Sequence, residues 1–279
     1  MASKRIGFVD DELENYHANT YLHVARGPLA ERGYEVAGAT AIAAEAGAKW
    51  CAEKEVPYFD TVDELAAAVD CFVILAPGTP DTHLGLCEQV FPHGKITFVD
   101  KTFAPDVATA ERIFALADEH GVPVQSTSAL RTTNAQREVR DLADPLVNLA
   151  QWAGGMSFDE YGIHPVELAV SCLGPNAERV FVTGAADHPT VVIDFAGGRV
   201  ATIDFNAHEH VPFEAMLTTT RASKPVTVDF EPLFVDAMRA ILDFFDAGQP
   251  LVPREETLAV MKILAAASDP SARKAPLSL

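Results

Sequence analysis

Basic residues are scarce in this 279-residue chain: 21 Lys and Arg stand against 40 Asp and Glu, for a net charge of −19. Such a balance repels polyanions, and no basic stripe offsets it, so nucleic acid and anionic membranes are excluded as partners. Long apolar runs are missing as well. None approaches the roughly 20 residues that span a bilayer, and Met1-Ala-Ser-Lys-Arg-Ile leads toward a strand, so no membrane contact and a cytoplasmic location are expected. Cysteine is rare. Cys51, Cys71, Cys87 and Cys172 show no CxxC or zinc-ligand spacing and sit among apolar neighbours, which predicts buried free thiols.

What the chain does have is alternation. At 48% hydrophobic it can build one large or two modest cores. Up to residue 126, short β-rich runs such as 4–10, 34–40, 71–76, 96–99 and 122–125 alternate with helical spacing at 19–32, 41–54, 61–69, 82–90 and 106–120. Connections this long do not make hairpins, so the pattern predicts a Rossmann-like parallel sheet covered on both faces, over residues 1–126. From 127 to 279 the pattern changes. Runs at 180–183, 190–195, 200–205, 215–220 and 226–230 follow one another closely, with a Gly197-Gly198 hairpin signal between two of them. They predict an α+β domain with a largely antiparallel sheet, helices at 231–247 and 254–267, and a surface tail from Ser268.

Glycine is absent at one telling place. A dinucleotide-binding protein carries GxGxxG after its first strand, because glycines let backbone amides approach a diphosphate at a helix N-terminus. Here Gly7-Phe-Val-Asp10-Asp11-Glu12-Leu-Glu14-Asn15-Tyr16-His17 puts four carboxylates there. Each would cost a nearby diphosphate on the order of 1 kcal/mol at intermediate dielectric. The second strand, ending Gly38-Ala39-Thr40-Ala41, also lacks an acid for an adenosine ribose. The acids could instead hold a cation or a sugar. Further on, the apolar run 95–99 ends in Asp100-Lys101, which would deliver a lysine to the carboxyl edge of a parallel sheet, where ligands bind. A lysine there can donate a proton to a hydroxyl or carbonyl oxygen; the alternative is a solvated lysine opening a loop.

Beside Asp100-Lys101-Thr102, the later run Gly154-Gly155-Met-Ser-Phe-Asp159-Glu160-Tyr161-Gly162-Ile163-His164 is similar to the glucose-fructose oxidoreductase and inositol dehydrogenase family, Gfo/Idh/MocA. Its pattern is Glu-Lys-Pro after a Rossmann strand, then a glycine-rich run leading to Asp-x-Gly-x-His. Ala76-Pro77-Gly-Thr-Pro-Asp-Thr-His83 resembles the family's Thr-Pro-x-x-x-His turn, and Pro250-Leu-Val-Pro-Arg254 its closing segment. The resemblance implies oxidation of a sugar or cyclitol, with NAD or NADP taking a hydride. It places the substrate-side lysine on Lys101, the catalytic histidine on His164 and the acid four residues earlier on Glu160, one helical turn away and sharing its face. These three would surround one reacting carbon. A dinucleotide would lie beside Gly7, Asp10, Asp11, Ala76, Pro77 and His83. Threonine follows Lys101 where the family has proline, and glutamate replaces aspartate at 160.

Other residues are candidates on their own chemistry. Tyr16 and His17 could line the crevice for substrate, and Arg131 could contact an anionic one, or form a structural salt bridge. In His208-Glu209-His210, strand alternation would put both imidazoles on one side as half a metal site, or as surface histidines. The expected function is an NAD(P)-type oxidoreductase acting on a sugar-like polyol. The alternatives are a lyase, epimerase or hydrolase on the same scaffold, possibly with a metal, and a ligand-binding protein without catalysis. A homo-oligomer formed through the second-domain sheet is expected, because its outer face would otherwise stay bare.

Overall fold

Lys4–Asp10 is a seven-residue strand (β1) whose last five residues are buried, and that unbroken apolar burial marks a strand covered on both faces. A computed structural model, which describes residues 4–279, shows what covers it. After β1 come α1 (Tyr16–Arg26), β2 (Tyr34–Ala41), α2 (Ala44–Lys54), α3 (Val62–Ala68), β3 (Cys71–Ile74), α4 (His83–Val90), β4 (Thr97–Val99), α5 (Val107–His120) and β5 (Val124–Gln125). The strands form one parallel sheet in the order β2-β1-β3-β4-β5. Local chemistry sets the helix ends. Asn15, Thr61 and Asp106 accept hydrogen bonds from the amides of Ala18, Glu64 and Thr109, and Gly121 closes α5 in the left-handed region.

The second unit holds α6 (Asn134–Arg140), β6 (Leu146–Gly154), α7 (Phe158–Tyr161), α8 (Ile163–Leu173), β7 (Ala177–Gly184), β8 (Pro189–Phe195), β9 (Arg199–Asn206), β10 (Glu214–Thr219) and β11 (Ser223–Thr227). Then follow α9 (Leu233–Ala247), α10 (Arg254–Ser268) and β12 (Leu277–Ser278). The sheet order is β11-β10-β6-β9-β8-β7-β12, antiparallel except where β6 runs parallel to β9.

Three sequence expectations change. The division of the chain is not 1–126 and 127–279: the first unit runs to Thr127 and is completed by Phe234–Pro253, so α9 belongs to the Rossmann core. Its Met238, Ile241, Leu242, Phe244 and Phe245 share a cluster with Ile6, Phe8 and Tyr34, while Asp246 binds Lys4, Arg32 and the Tyr34 hydroxyl. The meander is interrupted by β6, paired on both sides. The tail from Ser268 is built in, with Ala272 fully buried and β12 paired to β7. As expected, the thiols are free, three of them buried and Cys172 partly so. Among the described residues no helix is long and apolar enough to cross a membrane.

Candidate functional site

In the first unit the polar groups gather at the carboxyl ends of the strands. Asp10, the last residue of β1, is fully buried. Its Oδ1 accepts the amides of Asp11 (2.7 Å) and Ala76 (2.9 Å), and its Oδ2 accepts the Asn15 side-chain amide (2.8 Å). Burial raises its pKa to about 8, and the neighbouring Asp11 carboxylate adds to the rise. Asp11 stays below the ordinary range: burial pushes it up, but hydrogen bonds from Asp10, Thr79 and the Glu12 amide outweigh that. Leu13, with φ +68°, turns its side chain into the core. The sequence expectation of Asp10 as a group facing a ligand is therefore corrected, because the carboxyl is spent closing its own turn.

Lys101 stands where the sequence put it, just beyond β4. Its ammonium donates to the Pro77 carbonyl (3.1 Å) and its amide to Asp100 Oδ1 (2.8 Å); the Lys101–Thr102 peptide is cis. Asp100 is fully buried and pairs through Oδ2 with His17 Nδ1. Burial raises the Asp100 pKa, but the His17 imidazole and the Lys101 ammonium overcome it, and the carboxylate stays below its usual range. His17 thus orders Asp100 and, through it, Lys101, instead of lining a substrate site. Tyr16 is 66% exposed and packs edge-on against Phe234 of α9. His83 is also corrected: it is fully buried, with Nδ1 at 3.1 Å from the Phe103 carbonyl and Nε2 at 2.8 Å from that of Leu75, so it ties two loops together. Gly7 faces Val69 and Phe72, where a Cβ would lie 3.1 and 3.2 Å from their side chains. It is a packing glycine. Beside β1 and β2 opens a cleft of about 410 Å³, lined by Thr40, Ala41, Asp60, Asp63, Glu88 and Gln89 among others.

The second unit brings a different set together. His164, in the first turn of α8, is half-buried, and its Nδ1 lies 2.7 Å from the hydroxyl of buried Ser128. The Tyr161 ring packs edge-on against it at 4.5 Å and against His210 at 5.3 Å, with Phe213 also near His164. Gly154-Gly155 makes room for this: a Cβ on Gly154 would lie 2.5 Å from the Glu209 carbonyl, and one on Gly155 2.9 Å from the His210 ring. Glu160 sits at the end of α7, exposed, its Oε2 accepting from Ser157 Oγ (2.7 Å). α7 ends at Tyr161 and α8 begins at Ile163, so Glu160 and His164 are on separate short helices and not on one shared face.

Two alternatives left open by the sequence are decided here. Arg131 is 13% exposed and clamped by Glu167 and Glu256, so its charge is already matched and it offers nothing to an anionic substrate. His208 and His210 are not on a strand, since β9 ends at Asn206. His208 turns to Asp187 (2.8 Å) and lies near His188, forming an exposed trio, while His210 turns to Tyr161. The paired-imidazole metal site is thereby removed. Sequence reasoning missed Ser128, Tyr161 and Phe213, which carry no motif of their own; Tyr161 alone was signalled, by lying inside the glycine-rich run.

A five-stranded parallel sheet with polar groups gathered at its carboxyl edge, joined in sequence to an open mixed sheet, defines a Rossmann-type protein with a second α+β unit. Residues 13–128 match the model of an oxidoreductase family with an NAD-binding Rossmann fold, Gfo/Idh/MocA. Solved structures share the fold over the whole chain. GenD2 from gentamicin A biosynthesis, in complex with NAD, matches at 17% identity and a TM-score of 0.81, covering 100% of this chain and 97% of that one. Scyllo-inositol dehydrogenase from Lactobacillus casei, with bound NAD(H) and scyllo-inositol, matches at 15% and 0.81, covering 99% of each. A probable dehydrogenase from Thermotoga maritima matches at 13% and 0.84, covering 98% of each. Among curated proteins no sequence matches. The chain is thus similar to the Gfo/Idh/MocA family over residues 13–128, and beyond that stretch it shares the fold of these structures. Its first turn departs from the family in one respect. The amides of Asp11, Glu12 and Ala18, where a diphosphate would be met, are bonded to Asp10, Asp11 and Asn15, so the turn does not fit a dinucleotide held in the usual way.

Proposed function

We propose that the protein is an oxidoreductase acting at a hydroxyl-bearing carbon of a sugar, a cyclitol or a related polyol. The observation that supports this reading is the His164–Ser128 hydrogen bond at 2.7 Å, which holds the half-buried imidazole in place through Nδ1. His164 takes the hydroxyl proton. Glu160 accepts hydrogen bonds from neighbouring hydroxyls of the polyol. These residues supply the proton half of an alcohol oxidation. The likeness to a structure holding scyllo-inositol makes cyclitols the first substrates to try.

Purified protein is titrated with scyllo-inositol and a panel of sugars, read as a thermal shift, and then assayed for oxidation with NAD or NADP at millimolar concentration. His164→Ala is expected to lose at least about 100-fold of the turnover while keeping its melting temperature. Turnover unchanged by His164→Ala would refute the assignment. A second reading is favoured by the closed first turn: the same groups moving a proton at the carbon beside the carbonyl of a keto or aldehyde sugar, whose oxygen takes the electron pair as an enediol, without hydride transfer. Deuterium from solvent appearing at that carbon in recovered sugar would establish that reading.

The outer face of the second-unit sheet, where Trp152 is 57% exposed beside a cleft that includes Pro189 and Pro212, is proposed to pair with a second copy of the chain.

A further inference from the structure

We infer that the first turn is closed by its own carboxylates, so that this chain gives a nicotinamide dinucleotide no anchor for its diphosphate, and the adjoining cleft accepts only ligands without phosphate. The inference rests on the second reading of the proposed function, acid–base chemistry without hydride transfer, and leaves its acid–base residues untouched. A glycine turn works because its amides point outward and nothing larger than hydrogen blocks the approach. Here the Asp10 carboxyl does to the Asp11 amide, at 2.7 Å, what a phosphate oxygen would do from outside. It also reaches the Ala76 amide beyond β3 at 2.9 Å, which locks the turn to the neighbouring strand end. Asp11 repeats the pattern one residue on, accepting from the Glu12 amide (2.9 Å) and from Thr79 Oγ1 (2.6 Å), while its carbonyl accepts from Ala43 (2.7 Å).

Two more observations point the same way. Leu13 is fully buried, its Cδ1 3.6 Å from the place of a Cβ on Gly47 of α2, so the strained residue of the turn is anchored by packing. The cleft beside β1 and β2 is lined by Asp10, Asp60, Asp63 and Glu88 and by no Lys, Arg or His, so a 2′-phosphate would meet no balancing cation there. Neutral, hydroxyl-rich ligands suffer neither penalty.

The test is calorimetric titration of the full chain with NADH, NADPH and ADP at 0.1 M salt. No saturation below about 1 mM is expected for any of the three. Micromolar binding of NADH or NADPH to the wild type overturns the inference. In the variant Asp10→Gly/Glu12→Gly, which restores glycine at alternate positions of the turn, NADH binding is expected to tighten at least tenfold. A folded variant with no gain also overturns it. If circular dichroism shows that variant unfolded, Asp11→Asn/Glu12→Gln takes its place, with at least a threefold gain expected at low salt and no gain overturning the inference. Polyol-induced thermal shifts, measured alongside, report on the proposed function independently of all these outcomes.

Discussion

The turn after β1 and the neighbourhood of His164 are both polar, yet they treat their polar groups in opposite ways. In the turn, Asp10 is fully buried and meets three donors, and the nearby Asp100 and His17 satisfy each other. Around His164, one hydroxyl fixes one nitrogen of a half-buried ring, and Glu160 is exposed. A buried group whose bonds are all internal specifies structure, whereas a ring held in place and still partly exposed can do chemistry. Position in the family pattern marked both regions equally; burial separates them.

The sharpest way to break the comparison is His164→Ala, whose loss of at least about 100-fold in turnover with unchanged stability would show that this region serves chemistry alone. Next comes Arg131, for which sequence left a ligand contact and a structural salt bridge both open and the structure shows the salt bridge. Arg131→Met leaves buried Glu167, already raised in pKa by burial, and Glu256 uncompensated, and is expected to cost about 3–5 kcal/mol in urea unfolding. Replacing Glu167 by Met as well should recover part of that loss. A smaller effect tests the turn. Asp10 is raised from 3.8 to about 8 in the folded chain, so the folded state holds a proton that the unfolded chain releases. That stabilisation is complete below about pH 4 and is lost as pH rises through 8, by at most a few kcal/mol. Asp10→Asn should flatten this decline between about pH 4 and pH 8, and parallel curves for variant and wild type would refute the burial account. The least costly change is Trp152→Glu, which is expected to bring the sedimentation mass to that of one chain without altering the melting temperature.

Much of the fold was legible because it rests on local signals. The apolar run 71–76 and the caps at Thr61 and Asp106 say strand and helix without help from distant residues. β6 was not legible, since Leu146-Val-Asn-Leu-Ala-Gln-Trp mixes helix-forming with polar residues, and only pairing to β9 and β10 makes it a strand. Lys101 was read correctly as the residue a strand delivers to the sheet edge. The fates of His17, His83 and Arg131 were hidden for one reason: each is decided by a partner 8 to 125 residues away, and spacing along the chain carries no trace of it. The missing glycines were visible at once. That the carboxylates replacing them turn inward and take the amides was not, because a bonded aspartate and a solvated one are spelled the same.

One consequence of the route of α9 concerns the order in which the molecule comes into being. Five of its side chains complete the hydrophobic interior begun by β1, so a ribosome that has delivered everything up to Thr127 has made a sheet with one wall still unsealed. That wall arrives more than a hundred residues later, after six of the seven strands of the second sheet have been synthesised. The first half of the protein therefore waits, incomplete, for the second half to be translated.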